Sequence, residues 1–482
     1  MRGARAPRFA AKWRAVSSSA APFFACALAL VPVARGAEAR GSVPRTQAHP
    51  PEMTTYVTRQ GDSLYDIAAR YLRNPGDWQQ LASINHVSVP LRLQPGTTLR
   101  VPVALLRQDG LNAEVIAANG PAQHAFRNGP LLPLKVGSRL VEGDRVVTGD
   151  NGFATLELAD GSHIVLPPDT ALDLATLRQT ALTGATDRIV DLRRGEVSSE
   201  VTHATKKDDR FQIRSPSVVA GVRGTKFRVS YDGDKRSTAV EVLDGAVGVD
   251  ADTLAQSRRG ASTAPAPGTP LAASEQLVAA GHGSLTLAGA PAGAPVALLD
   301  APELLHPSKV QDGDEVDFDI APLEHARGYR LQIGRDAGLL DMIRDVRSAG
   351  THVPVGALDD GTYFVRIAAI DERGLEGIPA AWAFERRHMA LGASAGRIDG
   401  SRDFAFRWYV GRGAQNTRFR FVLGTTPDLR APLVDHTDIT TGQAVVSDLP
   451  KGVYYWTVIV EQFDNGHYYQ KASPTQSFRL DW

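Results

Sequence analysis

The sequence predicts a multidomain, mainly β protein: a small βααβ module near the start, an all-β domain after it, and two tandem β-sandwiches. Three observations carry this. Residues 56–102 switch from strand to helical periodicity and back. Residues 113–250 alternate apolar and polar positions in short runs separated by turn residues. Residues 303–388 find an echo in residues 389–482, at an offset of about 90 residues, a usual size for one sandwich. The chain has 482 residues, too many for one hydrophobic core.

Residues 1–39 read as a secretory signal peptide rather than as part of the fold. Arg2, Arg5, Arg8, Lys12 and Arg14 form a basic start, and residues 20–33 are an apolar run broken by Pro22 and Pro32. That run is shorter than the ~20 apolar residues a membrane span needs. Ala37-Glu38-Ala39 offers a small-residue cleavage site. Cys26, the single cysteine, lies inside the leader, so the mature chain is expected to have no disulfide, no catalytic thiol and no Cys-ligated zinc. Residues 40–53 form a Pro-containing linker, and no later segment is expected to cross a membrane. The 53 Lys and Arg balance the 53 Asp and Glu, which speaks against a nucleic-acid partner.

Within residues 54–103, a short strand meets the turn Gly61-Asp62-Ser63. Asp62 or Ser63 can cap the helix that follows. Leu64, Ile67, Ala68 and Tyr71 mark one face of that helix. Asn74-Pro75 ends it and starts a second, whose buried face is Trp78, Leu81 and Ile84. Pro95-Gly96 turns the chain into a closing strand. The blocks Gly61–Leu64, Ile67-Ala68, Leu81 with Ile84-Asn85, Leu93 with Pro95-Gly96, and Leu99 with Val101-Pro102 resemble a LysM module. The resemblance implies binding of N-acetylated glycan, in bacteria chiefly peptidoglycan. It places the site in a shallow groove between the first loop (Gly61, Asp62, Ser63, Leu64) and the later one (Ile84, Asn85, Leu93, Pro95, Gly96). Gly61 and Gly96 would let backbone approach the sugar closely. Asp62, Leu64, Ile67 and Trp78 also have a purely structural reading as cap and core.

Residues 113–250 are punctuated by Asn128-Gly129, Asp160-Gly161, Asp232-Gly233 and Asp244-Gly245. Between these turns, Ala154, Leu156 and Leu158 face one way and Thr155 and Glu157 the other; Val240 and Val242 alternate with Glu241 in the same manner. The stretches 136–172, 192–197 and 211–249 resemble a FecR domain, most specifically at Asp160-Gly161-Ser162 and at Arg223-Gly224-Thr225-x-Phe227. That resemblance implies a periplasmic β-domain; the cytoplasmic anti-sigma region of signalling FecR proteins has no counterpart here. Asp160, Gly161, Arg223, Gly224, Thr225 and Phe227 read as structural, with Arg223 fixing a turn through carbonyls. Residues 251–274 are an Ala/Pro-rich flexible insertion. Residues 275–300 return to alternation and are expected to close the β-domain.

In the two repeats, Leu358 to Ile367 and Leu449 to Val458 share the pattern L-x-x-G-x-Y-x-x-x-(V/I). This resembles a fibronectin type III or related immunoglobulin-like sandwich, in which Tyr363 and Tyr454 would be corner residues bonded to backbone. Aromatic residues of the second repeat, from Trp408 to Trp456, read as core.

Catalysis, a cofactor and a metal site are not expected. The 12 histidines form no H-x-H or H-E-x-x-H pattern. Paired carboxylates of a glycosidase type leave a wall hydrolase as one alternative. A sensor acting through the FecR-like domain is another. The reading preferred on sequence is a periplasmic scaffold of a Gram-negative envelope, associated with the cell wall. It would be held on peptidoglycan and would present β-domains to an envelope protein or polysaccharide.

Overall fold

Met53–Val57 runs antiparallel to Thr98–Pro102, with Met53 opposite Pro102 and Val57 opposite Thr98. Two helices, Leu64–Tyr71 and Trp78–Asn85, fill the connection, joined through a single 3-10 turn at Pro75–Asp77. Leu64, Ile67, Ala68 and Leu81 from the helices and Tyr56, Leu99 and Val101 from the strands make one small core. The computed structural model describes residues 52–202, 206, 208–222, 224–251, 274–306, 310–411, 417–464 and 467–481. Residues 1–39, read above as a leader, nearly all of residues 40–53, Arg223 and nearly all of residues 251–274 lie outside the described residues.

From Gln108–Gly110 to Val296–Ala297, strands pair edge to edge into a closed, barrel-like wall. Thr186–Glu200 is long enough to serve two sheets. Its first part pairs with Ala171–Thr180 and, in parallel, with Arg210–Arg214; its second part pairs with Lys226–Asp232. Beyond the insertion, Gln276–Ala279 adds to Ala246–Ala251, and His282–Leu287 adds to Ser237–Asp244. Apolar residues of alternating register, among them Leu156, Leu192, Phe211, Phe227 and Val242, meet inside.

The first sandwich opposes a five-stranded sheet centred on Gly361–Ile370 and Gly328–Gly334 to the pair Val316–Asp319 and His352–Gly356. The second opposes Leu391–Arg397, Phe404–Val410 and Gln443–Val446 to a five-stranded sheet built on Thr417–Gly424 and Gly452–Asp464. Tyr363 donates its hydroxyl to the carbonyl of Asp359 at 2.9 Å, and Tyr454 donates to that of Pro450 at 2.7 Å. Both bonds reach back four residues and tie the entry of the strand to the loop before it, which is what a corner tyrosine does. Phe406, Phe421, Trp408 and Trp456 are packed in the second core. The chain is mainly β and multidomain, with one short helical module.

The modules touch through side chains that alternation alone leaves unassigned. Leu182, on a hairpin of the β-domain, packs on the helical module's core. Phe153 and Val165 of the β-domain meet Leu339 and Met342 of the first sandwich. Ala239 and Leu298 meet Leu375. Between the sandwiches, Lys471 donates to the carbonyl of Asp312 at 2.6 Å, and the Arg387 guanidinium sits 3.9 Å from the centre of the Tyr469 ring.

Candidate functional site

The helical module brings its two candidate loops together. Ser63 is the N-cap of Leu64–Tyr71: its Oγ accepts from the Asp66 amide at 3.1 Å and donates to the Asp66 carboxylate at 2.5 Å. Asp62 is buried and accepts from the Tyr56 hydroxyl and the Arg59 amide, each at 2.7 Å. Burial alone would raise the Asp62 carboxyl, but these two donors hold it below its ordinary value. The Leu64 amide donates to the carbonyl of Pro90 at 2.9 Å, and the Leu93 amide to that of Asp62 at 3.2 Å. Gly96 donates to Thr58 at 2.8 Å. The first strand, the first loop and the later loop are thus sewn into one surface.

Within that surface the candidate residues divide by role. Leu64 is core, and Asp62 and Ser63 shape the turn. Asn85 is fully engaged: its amide donates to Leu81 and Arg100 carbonyls at 2.9 and 2.8 Å and accepts from the Arg100 amide at 2.6 Å. Ile84 and Leu93 are half-buried. Gly61 and Gly96 are exposed, with φ of +88° and +83°, and a Cβ added to either would meet nothing within 4 Å. Bare backbone therefore faces open space on both loops, with exposed Pro95 beside it. Sequence reasoning did not single out Val89 and Leu91, which are 57% and 71% exposed and flank the Pro90 carbonyl taken by Leu64. Their signal was two apolar residues around a proline, in a loop too short to bury them.

The FecR-type motif residues sit at strand ends. Asp160 receives the Arg188 guanidinium, the Ser162 hydroxyl at 2.9 Å and the Thr202 hydroxyl at 2.8 Å. Gly161 turns the hairpin with φ +78°, and Gly224 has φ +61°. The Thr225 hydroxyl donates to Ala246 at 3.1 Å, and Phe227 lies in the core.

A second polar centre lies between the β-domain and the first sandwich. Arg330 is 2% exposed. Its Nη1 contacts Glu196 Oε1 at 2.6 Å and Glu376 Oε2 at 2.7 Å, and its Nη2 contacts Asp345 at 2.6 Å. Arg228, also buried, contacts Glu376 Oε1 at 2.8 Å and donates to the carbonyls of Glu376 and Gly377 at 2.5 and 2.9 Å. Glu241 stands 4.0 Å from Arg228 and accepts from the Glu376 amide at 3.3 Å. Burial pushes the Glu241 carboxyl up to about 7, against the pull of Arg228, with Glu376 and Glu196 adding to the rise. Burial would raise Glu376 as well, but Arg228 and Arg330 override it and hold that carboxyl at about 2. Arg366 falls to about 10, because burial and the nearby cation Arg228 disfavour its charge.

Residues 56–102 match the LysM domain model, and residues 144–248 match the model of the FecR protein. The LysM match points to peptidoglycan binding and the FecR match to envelope signalling, and both are binding or signalling domain types. No curated protein matches the chain. Among solved structures, a proposed anti-sigma factor from Parabacteroides distasonis is 17% identical, with 32% of this chain and 59% of that chain covered and a TM-score of 0.24. This chain therefore spans about three-fifths of that structure's length. The fibronectin(III)-like modules of Clostridium thermocellum CbhA are 10% identical, with 36% and 90% covered and a TM-score of 0.21. A two-domain fibronectin type III segment of chicken tenascin is 16% identical, with 37% and 99% covered and a TM-score of 0.19. The fold described above rests on the strand pairing of this chain alone. Among the described residues, no group of three His, Cys, Asp or Glu side chains is placed to hold a metal, and no helix is long and apolar enough to cross a membrane.

Proposed function

We propose that this chain is a non-catalytic, periplasmic scaffold that binds peptidoglycan through residues 56–102 and presents its β-domains to an envelope partner. The observation that carries the reading is the LysM match over a module whose two loops are hydrogen-bonded into one surface. There, Gly61 and Gly96 offer backbone to an N-acetyl group, while Val89 and Leu91 offer apolar contact to a sugar face. The leader would send the chain across the inner membrane. A second reading, a sensor acting through the FecR-like domain, is favoured by the match over residues 144–248. On that reading the first sandwich, buried against the FecR-like domain, would relay its state.

An amide-resolved NMR titration of the full chain with a soluble, peptide-free N-acetylated oligosaccharide tests the assignment. The amides of Gly61, Leu91 and Gly96 are expected to shift saturably while those of the two sandwiches stay in place. Saturable shifts confined to the sandwiches would reject the groove.

A further inference from the structure

The β-domain carries a groove of about 720 Å³ on the outside of its wall, lined by Arg127, Arg145, Arg193 and Arg194 and by no carboxylate. In a chain whose charges balance at 53 against 53, four arginines around one concavity are a local excess. The fold gathers them by register. Ala122–Phe126, Asp144–Thr148, Ala171–Thr180 and Thr186–Glu200 are successive antiparallel neighbours, with Ala125 opposite Arg145 and Ala171 opposite both Val147 and Arg194. Consecutive residues of a regular strand point to opposite faces. Here Leu172 pairs with Leu192 and Ala171 with Arg194, so Arg193 is an extra residue, a β-bulge. The bulge leaves Arg193 and Arg194 both exposed. The wall between them is made of small apolar side chains, Ala125, Val147 and Ala171, with Leu131 at the edge.

The nearby acids do not cancel the groove. Asp173 is a single carboxylate holding both Arg145, at 2.6 Å, and Arg193, at 2.8 Å. Asp191 reaches Arg193 only at 3.9 Å. Glu142 is taken by Arg178 and the Leu177 amide. Arg194 contacts a backbone carbonyl, that of Asp169 at 3.1 Å, and Arg127 lies over the Phe126 ring. Guanidinium forks match carboxylates in pairs, and a concave, methyl-lined wall suits a short chain bearing small side chains better than a flat lipid surface.

We propose that this groove is a second wall-binding site, which takes the carboxylates of a short acidic peptide of the kind that peptidoglycan bears on its glycan strands. The proposal rests on the peptidoglycan reading above and extends it: the helical module holds the sugar chain while the groove holds a peptide stem. Two weak contacts on one polymer reinforce each other through effective concentration.

The test uses the full chain and two probes, glycan-free peptide stems released from purified peptidoglycan and peptide-free glycan strands. The double variant R127A/R194A keeps the Arg145–Asp173–Arg193 pairing, and an unchanged melting curve will show that it folds. It is expected to bind stems at least about tenfold more weakly than the parent, since each lost charge-assisted contact costs about that much, and to bind glycan strands equally well. Raising the salt is expected to weaken stem binding by the parent. Equal stem binding by parent and double variant would overturn the groove. So would failure of the parent to bind stems, whether or not it binds vesicles of anionic lipid. Loss of glycan-strand binding by the parent would instead strike the helical-module reading, so the two failures are distinct.

Discussion

Replacing Arg330 with alanine is expected to undock the first sandwich from the β-domain. The guanidinium touches Glu196, Glu376 and Asp345, whose side chains are all buried, and among the described residues it is the one cation that touches all three. Its removal leaves Glu196 with the half-exposed Arg347, Asp345 with Gln332 and Glu376 with Arg228, so carboxylates of both modules lose the cation that bridges them. Breaking a buried ion network by removing one partner costs about 3–5 kcal/mol. Glu196 comes from the β-domain, whereas Asp345 and Glu376 come from the sandwich, so the loss falls on the junction. The flanking apolar contacts, Phe153 and Val165 with Leu339 and Met342 and Ala239 and Leu298 with Leu375, remain and oppose the separation. Melting by calorimetry should split into separate transitions, and the loop around Glu376 should become a protease site. Arg327→Ala is the control: its pair with Glu372 is 69% and 61% exposed and worth at most about 1 kcal/mol. A variant R330A that melts like the parent would mean that the network does not hold the junction.

The second large effect is a pH dependence centred on Glu241. The groups facing it are Arg228 and Glu196 from its own domain and Glu376 from the sandwich. A carboxyl raised from 4.5 to about 7 by burial takes up a proton when the modules dock. Support from that proton is full below about 4.5 and is lost as the pH rises through about 7. Glu376 has the opposite sign. Held down at about 2, it contributes stability above 4.5 that is lost as the pH falls towards 2. The junction should therefore be strongest in the mildly acidic range and weaken towards pH 8. Glu241→Gln keeps the acceptor for the Glu376 amide and removes the titration. At pH 8 it should raise the stability of the junction, by up to about 3 kcal/mol from the size of the shift. It should also flatten the melting temperature between pH 5 and about 8. A variant E241Q that is less stable than the parent at pH 8 would show that the ionised carboxylate supports the junction.

These effects mark where the sequence was legible and where it was not. Strand periodicity, turn glycines and corner tyrosines are local signals, and with the motif blocks they carried the fold class and the three family resemblances. The helix cap was readable to within one residue, and the structure assigns it to Ser63 rather than Asp62. The junction was not readable, because its partners stand far apart in the chain: Arg228 and Glu376 are separated by 148 positions, and Arg330 and Glu196 by 134. Glu241 shows why. Alternation with Val240 and Val242 says only that it faces away from its own barrel's interior. Period-2 patterning carries no information about what covers the other face, and here that is a second module. The arginine groove was hidden for a related reason: a bulge shifts the phase of the alternation, so Arg193-Arg194 reads as one inward and one outward residue until the register is seen.

The central claim is that the helical module binds the sugar polymer of the wall. The most direct measurement is co-sedimentation of the full chain with insoluble, peptide-free N-acetylated glycan, beside a chain lacking residues 56–102. Removing the peptide stems takes the arginine groove out of the assay. The full chain is expected in the pellet and the shortened chain in the supernatant, with soluble oligosaccharide releasing the former. Full-length protein left in the supernatant, or equal pelleting of both chains, would contradict the claim.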